Sequence, residues 1–374
     1  MKILIYSRVF WPSIGGIETV SHTLASWLAE KGHECAVLTE TAAAPETDQK
    51  FAFRVIRRPS IGKQLALFRW ADIVHSNGAS LNAFVWAKCV GKPIIWTHAG
   101  YQLTCIDGLG WCAGAPAPMS PLASAWLHAQ KRGSFLAMRD AIKLYLRRWA
   151  SRHVNLNVAI TEWVARRQPL RRQVVIHNPF PLSFWRSASR SAHGEHDFVF
   201  LGRLVSEKGV DTLLRALSRT VQFRKASATL CVIGDGPERE RLEKLATELN
   251  IARYVTFTGA LSGQLLLDAV ARSRIAVVPS VWEEPMGGVA LELMAAGKAL
   301  VVSEKGGLAE CCGPAALAFP NGDVDALAKA LCDLLDSPQR VERLQEEACD
   351  RLTLFDERKL CERYEAVYAS ILRA

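Results

Sequence analysis

The chain has 374 residues, more than one hydrophobic core usually supports, so two domains are expected. Its 49% hydrophobic and 22% charged residues fit a globular protein and exclude extended disorder or a fibrous repeat. Charge is uneven: residues 1–180 carry 22 basic and 10 acidic side chains (+12), whereas the other 24 basic and 27 acidic ones give −3. The positive half indicates a phosphate-rich partner, for which nucleic acid, anionic lipid and a phosphorylated acceptor are candidates.

The first forty residues predict a βαβ unit. Lys2–Tyr6 is an apolar strand, too short for the core of a signal peptide. A loop with Gly15 and Gly16 follows, and then apolar residues recur at helical spacing (Val20, Leu24, Trp27 and Leu28). Gly32 ends this helix, and residues 35–39 form a second strand.

The same rhythm continues to residue 176 and restarts after an interruption. Short apolar strands at 73–75 and 94–97 alternate with helical stretches, which favours a parallel sheet covered on both faces. The turn-like segment 177–181 and the polar stretch Ser187 to His196 predict the domain junction. Beyond it we expect strands at 198–201, 228–233, 255–258, 275–279 and 300–303, with helices at 212–221 and 238–249. Two doubly wound domains in tandem are the economical interpretation.

A loop rich in Gly, Arg and Lys leaves the first strand of the second half. It contains Gly202, Arg203, Lys208 and Gly209 and lies at the carboxyl end of the predicted sheet, where open α/β folds bind ligands. Arg offers a planar fork and Lys a point charge, a combination suited to a diphosphate. An ordinary solvated loop would have the same composition, so this pattern alone leaves both interpretations open.

The segment from Ser280 to Gly297 carries the sharpest pattern. Gly287 and Gly288 lie near a helix start, where free N–H groups favour an anion. Glu292 sits in an otherwise apolar helix, where a carboxylate needs a partner, and ligand hydroxyls would supply one. Glu284, eight positions earlier, can reach the same place. The alternative is that both glutamates are structural and have protein partners.

These motifs together resemble the family 4 retaining glycosyltransferases of the GT-B fold. The similarity rests on Glu284 and Glu292 with seven residues between them, the following segment 293–298, the Gly202-Arg203…Lys208-Gly209 loop and Gly15-Gly16. The resemblance implies an α/β protein of two Rossmann-like domains facing across a cleft. The first would comprise residues 1–180 plus 355–374, whose last helix returns to the N-terminal domain, and the second residues 181–354.

The resemblance also implies roles for residues of the second domain. Arg203 and Lys208 would bind the diphosphate of a UDP- or GDP-linked sugar donor and neutralise the leaving phosphate. Glu292 would accept hydrogen bonds from the ribose, and Glu284 would face the transferred sugar. The backbone of Gly287, Gly288 and Val289 would hold sugar hydroxyls or phosphate. Because two cations do the electrostatic work, no cofactor and no obligatory metal are expected.

In the first domain the resemblance implies three further residues. Gly15 and Gly16 would allow close approach to the diphosphate. His98, at the end of a strand, would lie near the sugar and acceptor, although a capped strand-end histidine is the alternative. The family often has Asp after this histidine, whereas here it is Ala99, which puts an acid/base role for that neighbour in doubt.

The predicted function is therefore retaining transfer of a hexose-type sugar to a lipid-linked or saccharide acceptor, in cell-envelope or exopolysaccharide biosynthesis. A nucleotide-sugar epimerase on the same fold and a non-catalytic protein that binds nucleotide sugars or anionic surfaces are the alternatives. Cysteines within apolar runs (Cys35, Cys89, Cys231 and Cys332) predict reduced core thiols and a cytoplasmic location.

Residues 120–172 combine basic and aromatic side chains. Trp126, Phe135, Met138, Ile142, Tyr145, Leu146 and Trp149 interleave with Lys131, Arg132, Arg139, Lys143, Arg147, Arg148 and Arg152. Such a helix is able to lie on the anionic inner face of a membrane. The alternative is a helix with its apolar side in the domain core and its charges in water. No nucleic-acid-binding module is recognisable, and we expect no nucleic-acid partner.

Overall fold

A computed structural model describes residues 1–13, 15–112, 114–168, 170–188 and 195–374, without the side chains of Pro45 and Arg132. The chain forms two compact units. The first comprises Met1–Cys112, Pro116–Pro181 and Phe355–Ala374, and the bulk of the second is Leu182–Leu354. Of the polar stretch predicted to join the domains, residues 189–194 lie outside the described part of the chain.

The first unit contains a seven-stranded parallel sheet. Its strands and helices are β1 (Lys2–Tyr6), α1 (Gly16–Glu30), β2 (Glu34–Thr39), β3 (Arg54–Arg57), α2 (Ile61–Trp70), β4 (Ile73–Asn77), α3 (Leu81–Cys89), β5 (Ile94–His98), the two-residue strands β6 (Trp111–Cys112) and β7 (Ala115–Pro116), α4 (Pro121–Arg132), α5 (Ser134–Ser151), β8 (Leu156–Ala159), α6 (Glu162–Arg167) and β9 (Gln173–Val175). The strand order is β3-β2-β1-β4-β5-β8-β9, so strands are added on one side of β1 up to β3 and on its other side from β4 onwards.

Both faces of this sheet are buried, because side chains alternate along each strand. In β1, Ile3 and Ile5 belong to one hydrophobic core, whereas Leu4 and Tyr6 belong to a second core on the opposite face. Parallel strands covered on both faces are therefore nearly continuous apolar runs, which is why β1 is recognisable in the sequence.

The second unit repeats this architecture with six parallel strands. Its elements are α7 (Ser183–Arg186), β10 (His196–Leu201), α8 (Val210–Arg224), β11 (Leu230–Ile233), α9 (Arg239–Glu248), β12 (Val255–Gly259), α10 (Gly263–Ala271), β13 (Ser273–Val278), α11 (Gly288–Ala295), β14 (Ala299–Ser303), α12 (Gly307–Cys312), β15 (Ala316–Phe319), α13 (Val324–Asp336) and α14 (Pro338–Leu352). The order β12-β11-β10-β13-β14-β15 reverses between β10 and β13. Ligands of open α/β sheets bind at the carboxyl ends of strands beside such a reversal.

The last helix, α15 (Glu357–Arg373), belongs to the first unit. Leu360, Cys361, Tyr364 and Tyr368 are buried in the core on the Ile3 face of the sheet. The Tyr368 hydroxyl lies 2.7 Å from Nδ1 of the buried His75 on β4, which joins this helix to the sheet by a polar contact as well.

The predicted βα rhythm is confirmed for both halves. Every strand expected from the sequence is present within two residues of its predicted bounds. Strands β3, β8 and β15 and the two-residue strands β6 and β7 have no equivalent among the sequence-based predictions.

The basic-aromatic region forms two helices, α4 and α5, which meet at Gly133 in the left-handed region (φ +88°). The interpretation that its large apolar side chains face the core is wrong. Trp126 is 65% exposed, Phe135 82% and Met138 64%, and Ile142, Tyr145, Leu146 and Trp149 are exposed as well. The helix α5 instead buries small residues and Leu144, because its larger side chains lie on another face. No helix in the described part of the chain has both the length and the apolar composition needed to span a bilayer.

All ten cysteines have free thiols. Cys35 and Cys231 are buried as predicted, and burial raises the pKa of Cys231 to about 11. Cys332 is half-buried, and the prediction of a core thiol is wrong for Cys89, which is exposed at the last position of α3.

Candidate active site

Three of the predicted donor residues of the second unit lie on loops at the point where the strand order of its sheet reverses. Arg203 and Lys208 follow β10, and Glu284 follows β13, the strand paired with β10. The sheet therefore brings together two loops separated by some seventy residues of sequence. Both leave carboxyl ends of strands, which is where this class of sheet holds its ligands.

Lys208 and Glu284 form a largely buried ion pair. The Lys208 ammonium donates to Oε1 of Glu284 at 2.6 Å, with only 18% and 6% of the two side chains exposed. The Ser280 hydroxyl donates to the same oxygen. Because both bonds fall on Oε1, Oε2 has no hydrogen-bond partner among the described residues. Glu284 is thus held firmly while one carboxylate oxygen stays available as an acceptor.

Ser280 is a site residue that the sequence reasoning missed. It is fully buried and lies two residues beyond the end of β13. A serine between an apolar strand and a Glu-containing loop was the available signal, but a single uncharged hydroxyl is too common at strand ends to indicate this contact.

Backbone contacts fix the two loops against each other. Gly209 has φ +65°, and a Cβ there would overlap the carbonyl oxygen of Pro279. The Val281 N–H donates to Glu207 O at 3.0 Å, and the Gly307 N–H donates to Glu284 O at 2.7 Å. The protein's own packing therefore requires glycine at 209, and the loop carrying Lys208 is positioned by the loop carrying Glu284.

Arg203 differs from Lys208 in being open to solvent. Its side chain is 75% exposed, and its nearest carboxylate contact is Nη2 to Glu207 Oε1 at 3.9 Å. An exposed pair of this length contributes little to stability. The guanidinium fork is consequently free to bind an anion bidentately.

Glu292 projects from α11 into a poorly solvated place. The side chain is half-buried, and burial alone raises its pKa to about 7. No described residue forms a hydrogen bond with the carboxyl group. A carboxyl group in this state gains most from a ligand that donates hydrogen bonds to its ionised form.

Gly287, Gly288 and Val289 form the start of α11. Gly287 is the N-cap with φ +78°, and a Cβ there would overlap the Leu308 side chain. The first intrahelical amide bond is that of Ala290 to Gly287 O at 3.0 Å. The amides of Gly288 and Val289 precede it, so they belong to the orphan donors of a helix N-terminus.

Gly15 is the N-cap of α1 and Gly16 is its first residue, after the loop that leaves the carboxyl end of β1 in the first unit. Gly15 has an extended φ of 177°, and a Cβ there would meet only the flexible end of Glu18. A Cβ on Gly16 would have Phe180 Cζ at 4.0 Å as its nearest neighbour. Packing within the protein therefore requires glycine at neither position.

His98 ends β5 and is 1% exposed. Its Nε2 lies 2.8 Å from Oδ1 of Asn157, and its Nδ1 is enclosed with no partner among the described residues. The Asn157 amide donates to the carbonyls of Ser151 and Arg171, both at 2.9 Å. Asn157 Oδ1 must then accept from His98, which places the ring proton on Nε2. Burial lowers the pKa of His98 to about 4, so the ring is neutral at physiological pH.

Metal ligands do not cluster in the described ranges: no group of three or more His, Cys, Asp or Glu side chains is placed to hold an ion. The expected independence from metal stays a prediction.

Each unit is a doubly wound parallel sheet, and the second has a cationic loop and two glutamates where its strand order reverses. These features together define a GT-B type of enzyme. The family model for glycosyl transferases group 1 matches residues 183–351, and that for Glycosyltransferase Family 4 matches residues 14–184. The chain belongs to the family 4 glycosyltransferases of the GT-B fold and is an enzyme that transfers glycosyl groups.

Individual relatives cover most of the chain. It is 27% identical to the glycogen synthase of Mycobacterium tuberculosis (strain H37Rv), over 94% of this chain and 90% of that protein. It is also 27% identical to the 2-deoxystreptamine N-acetyl-D-glucosaminyltransferase of Streptomyces fradiae, over 88% of this chain and 86% of that protein. The crystal structure of Anabaena Alr3699/HepE in complex with UDP superposes with a TM-score of 0.75 at 17% identity, over 99% of this chain and all of that one.

Proposed function

We propose that the enzyme transfers a sugar from a nucleotide-diphosphate sugar and that the second unit binds this donor. The observation that carries the proposal is the Lys208–Glu284–Ser280 cluster beside the exposed Arg203. It combines cations for a diphosphate with a fixed carboxylate oxygen for sugar hydroxyls, all at the strand reversal. Names of relatives support a nucleotide donor, among them a GDP-mannose-dependent mannosyltransferase of Mycolicibacterium smegmatis.

The reaction proposed breaks the bond between the anomeric carbon and the donor phosphate oxygen and forms a bond from that carbon to an acceptor hydroxyl oxygen, whose proton passes to the departing diphosphate. Negative charge grows on the departing diphosphate, and Arg203 and Lys208 neutralise it without the reorganisation that water would require. Glu284 Oε2 accepts hydrogen bonds from the sugar, and the α11 amides of Gly288 and Val289 donate to sugar or phosphate oxygens. Glu292 accepts from the ribose hydroxyls. We propose that the anomeric configuration is retained, as the family resemblance implies.

A donor screen tests this proposal. Melting temperature is measured with UDP-, GDP- and ADP-linked hexoses, because a ligand that binds only the folded state raises it. We expect one nucleotide class to stabilise the wild type and to be hydrolysed or transferred at the same rate with and without a chelator. NMR of the product gives its anomeric configuration. No stabilisation by any nucleotide sugar contradicts donor binding, an inverted product contradicts retention, and loss of turnover with chelator contradicts independence from metal.

For the acceptor we propose a saccharide or a lipid-linked saccharide of envelope or exopolysaccharide assembly. A cavity of about 360 Å³ in the first unit lies beside Gly15, with Trp11, Glu18, His22 and Phe51 among its walls. Aromatic rings with a carboxylate and polar groups suit a sugar's apolar faces and hydroxyls. The acceptors in the relatives' names range from 2-deoxystreptamine to a phosphatidylinositol monomannoside, so they support an acceptor of this broad kind only.

We propose further that the enzyme is cytoplasmic and works at the inner face of a membrane, with α4 and α5 as the membrane-facing surface. Exposed apolar side chains such as Phe135 and Met138 accompany exposed Lys131, Arg139 and Lys143. Arg147 and Arg148 have a different role: they donate to the carbonyls of Ala79 and Leu103 and so hold α5 in place.

Vesicle co-sedimentation tests this location. We expect binding that needs anionic lipid and weakens at high salt, because each basic residue near the surface contributes on the order of 1 kcal/mol and salt screens it. Phe135→Ser with Met138→Ser should release the protein, whereas exposed Leu265→Ser in the second unit is the control. Wild-type protein that sediments with neither neutral nor anionic vesicles would disprove a membrane role.

A further inference from the structure

A second cavity of the first unit is lined by three arginines. It has a volume of about 200 Å³, and Arg148 and Arg152 from the end of α5 and Arg171 from the segment before β9 line it, with Thr104, Ser151 and Gln168. Among the described residues, no carboxylate lines the cavity. Its volume is several times the roughly 30 Å³ that one water molecule occupies, so it has room for a small oxyanion.

No carboxylate in the described part of the chain forms an ion pair with these three guanidinium groups. Arg152 and Arg171 are exposed and have no side-chain hydrogen bond or ion pair among the described residues. Arg148 is half-buried, and its Nη1 donates to Leu103 O at 3.0 Å. Like charges that converge on one cavity repel one another, and a bound anion removes that repulsion.

The wall of the cavity is held by buried amides. Gln168 is 1% exposed, accepts from the Leu103 N–H at 2.8 Å and donates to Gly100 O at 2.7 Å. Asn157 donates to the carbonyls of Ser151 and Arg171. The carbonyls at a helix C-terminus repel anions, and here one of them, Ser151 O, is already engaged by a donor. The arginines therefore project from a frame whose own polar groups are satisfied.

We propose that this arginine pocket binds a phosphate group. Planar guanidinium forks match tetrahedral oxyanions with two N–H donors each, and more than one fork is needed to satisfy a doubly charged phosphate. The phosphate would come from a phospholipid headgroup or from a soluble phosphorylated compound. Only the first of these two sources rests on the proposed function at a membrane. The pocket lies in the first unit, whereas Arg203, Lys208, Glu284 and Glu292 belong to the second.

The test uses the full chain and inorganic phosphate, compared with chloride at equal ionic strength. Arg152→Gln/Arg171→Gln is compared with Arg69→Gln/Arg166→Gln, which removes two exposed arginines of the same unit from outside the pocket. All proteins carry Arg203→Ala, so that phosphate at the donor loop contributes little. We expect the pocket variant to bind phosphate at least tenfold more weakly than its parent, with the control within twofold. Equal phosphate binding by the pocket variant and its parent would overturn the proposal.

A second arm distinguishes the sources. Vesicles of phosphatidylcholine are compared with vesicles that also contain phosphatidic acid, whose headgroup is a phosphomonoester. If the pocket variant loses phosphatidate-dependent sedimentation as well as phosphate affinity, the ligand is a lipid headgroup; if only phosphate affinity falls, it is soluble. Donor hydrolysis, measured with Arg203 intact, should be the same in pocket variant and wild type. Absence of hydrolysis in both would count against the proposed function and leave the phosphate pocket standing.

Discussion

The two units build their predicted site residues in opposite ways. In the second unit, Glu284 accepts hydrogen bonds from both Lys208 and Ser280. Gly209 is a glycine because the neighbouring loop leaves no space for a side chain. In the first unit, Gly15 and Gly16 meet no crowding that requires glycine. The loop that carries Lys208 is therefore preorganised by the protein's own contacts, which is the condition for electrostatic catalysis.

This difference means that substitutions in the two units should affect folding stability and turnover differently. Where packing requires a residue, a substitution damages the fold and activity together. Where packing does not require it, a residue type that lowers the free energy of unfolding points to a ligand. Gly16 at the start of α1 is such a residue, because glycine loses more conformational entropy on folding than alanine does. The contrast between the units is open to tests in which stability and turnover move independently.

The largest expected effect is on turnover at the cationic loop. Arg203→Ala should lower turnover by about 10²–10³-fold with an unchanged melting temperature, because the exposed side chain acts only on the leaving diphosphate. Lys208→Ala should lose as much turnover and also about 3 kcal/mol of stability, because Glu284 is left buried without its cation. Arg215→Ala, an exposed arginine on α8, is the control. Arg203→Ala with wild-type turnover would remove Arg203 from the site.

The next effect compares two glycines. Gly209→Ala should destabilise the second unit by about 3 kcal/mol or more, because the left-handed backbone and the Pro279 carbonyl both exclude a Cβ. Gly16→Ala, at the first position of α1, should leave stability unchanged or raise it by up to about 1 kcal/mol while it lowers turnover. Denaturant unfolding and initial rates measure both. A Gly16→Ala enzyme with full turnover would show that this glycine serves no ligand.

Most of the strands that the sequence predicts contain an apolar run, although the edge strand β12 was predicted and is only partly buried. Such a run marks β1 and residues 275–278 of β13, whereas β3 begins and ends with Arg54 and Arg57, and Asn157 interrupts β8. Asn157 is buried because its amide completes the hydrogen bonds of His98 and two carbonyls, a contact pattern with no local signal.

The site shows the same limit. Spacing along the chain identified Glu284 and Glu292, but the pairing of Glu284 with Lys208 follows from the adjacency of β10 and β13, which are far apart in sequence. The face that α5 presents to solvent was equally beyond prediction, because an amphipathic helix has the same periodicity whether its large apolar side chains meet a core or a lipid surface.

A smaller effect concerns Glu292 and pH. Its folded pKa of about 7 lies above the ordinary 4.5 of a glutamate, so the folded protein keeps a proton that the unfolded chain has lost. The contribution of this group to the free energy of unfolding is therefore highest below pH 4.5. It falls by about 2–3 kcal/mol as the pH rises from 4.5 through 7. Glu292→Gln should lack this fall. If wild type and variant have parallel stability profiles between pH 4.5 and 8, the carboxyl group is not desolvated.

The smallest expected effect is at His98, where the sign is reversed. Burial lowers its pKa from 6.5 to about 4, so the unfolded chain takes up a proton before the folded protein does, and stability falls as pH drops from 6.5 towards 4. At pH 5.5 this contributes about 1 kcal/mol. His98→Gln, which keeps a donor for Asn157, should remove that loss, and His75→Gln is the matched variant because His75 is also buried with a lowered pKa but pairs with Tyr368. If His98→Gln also lowers turnover at pH 8, where both proteins are equally folded, His98 acts on the substrate; unchanged turnover would assign it to the strand end alone.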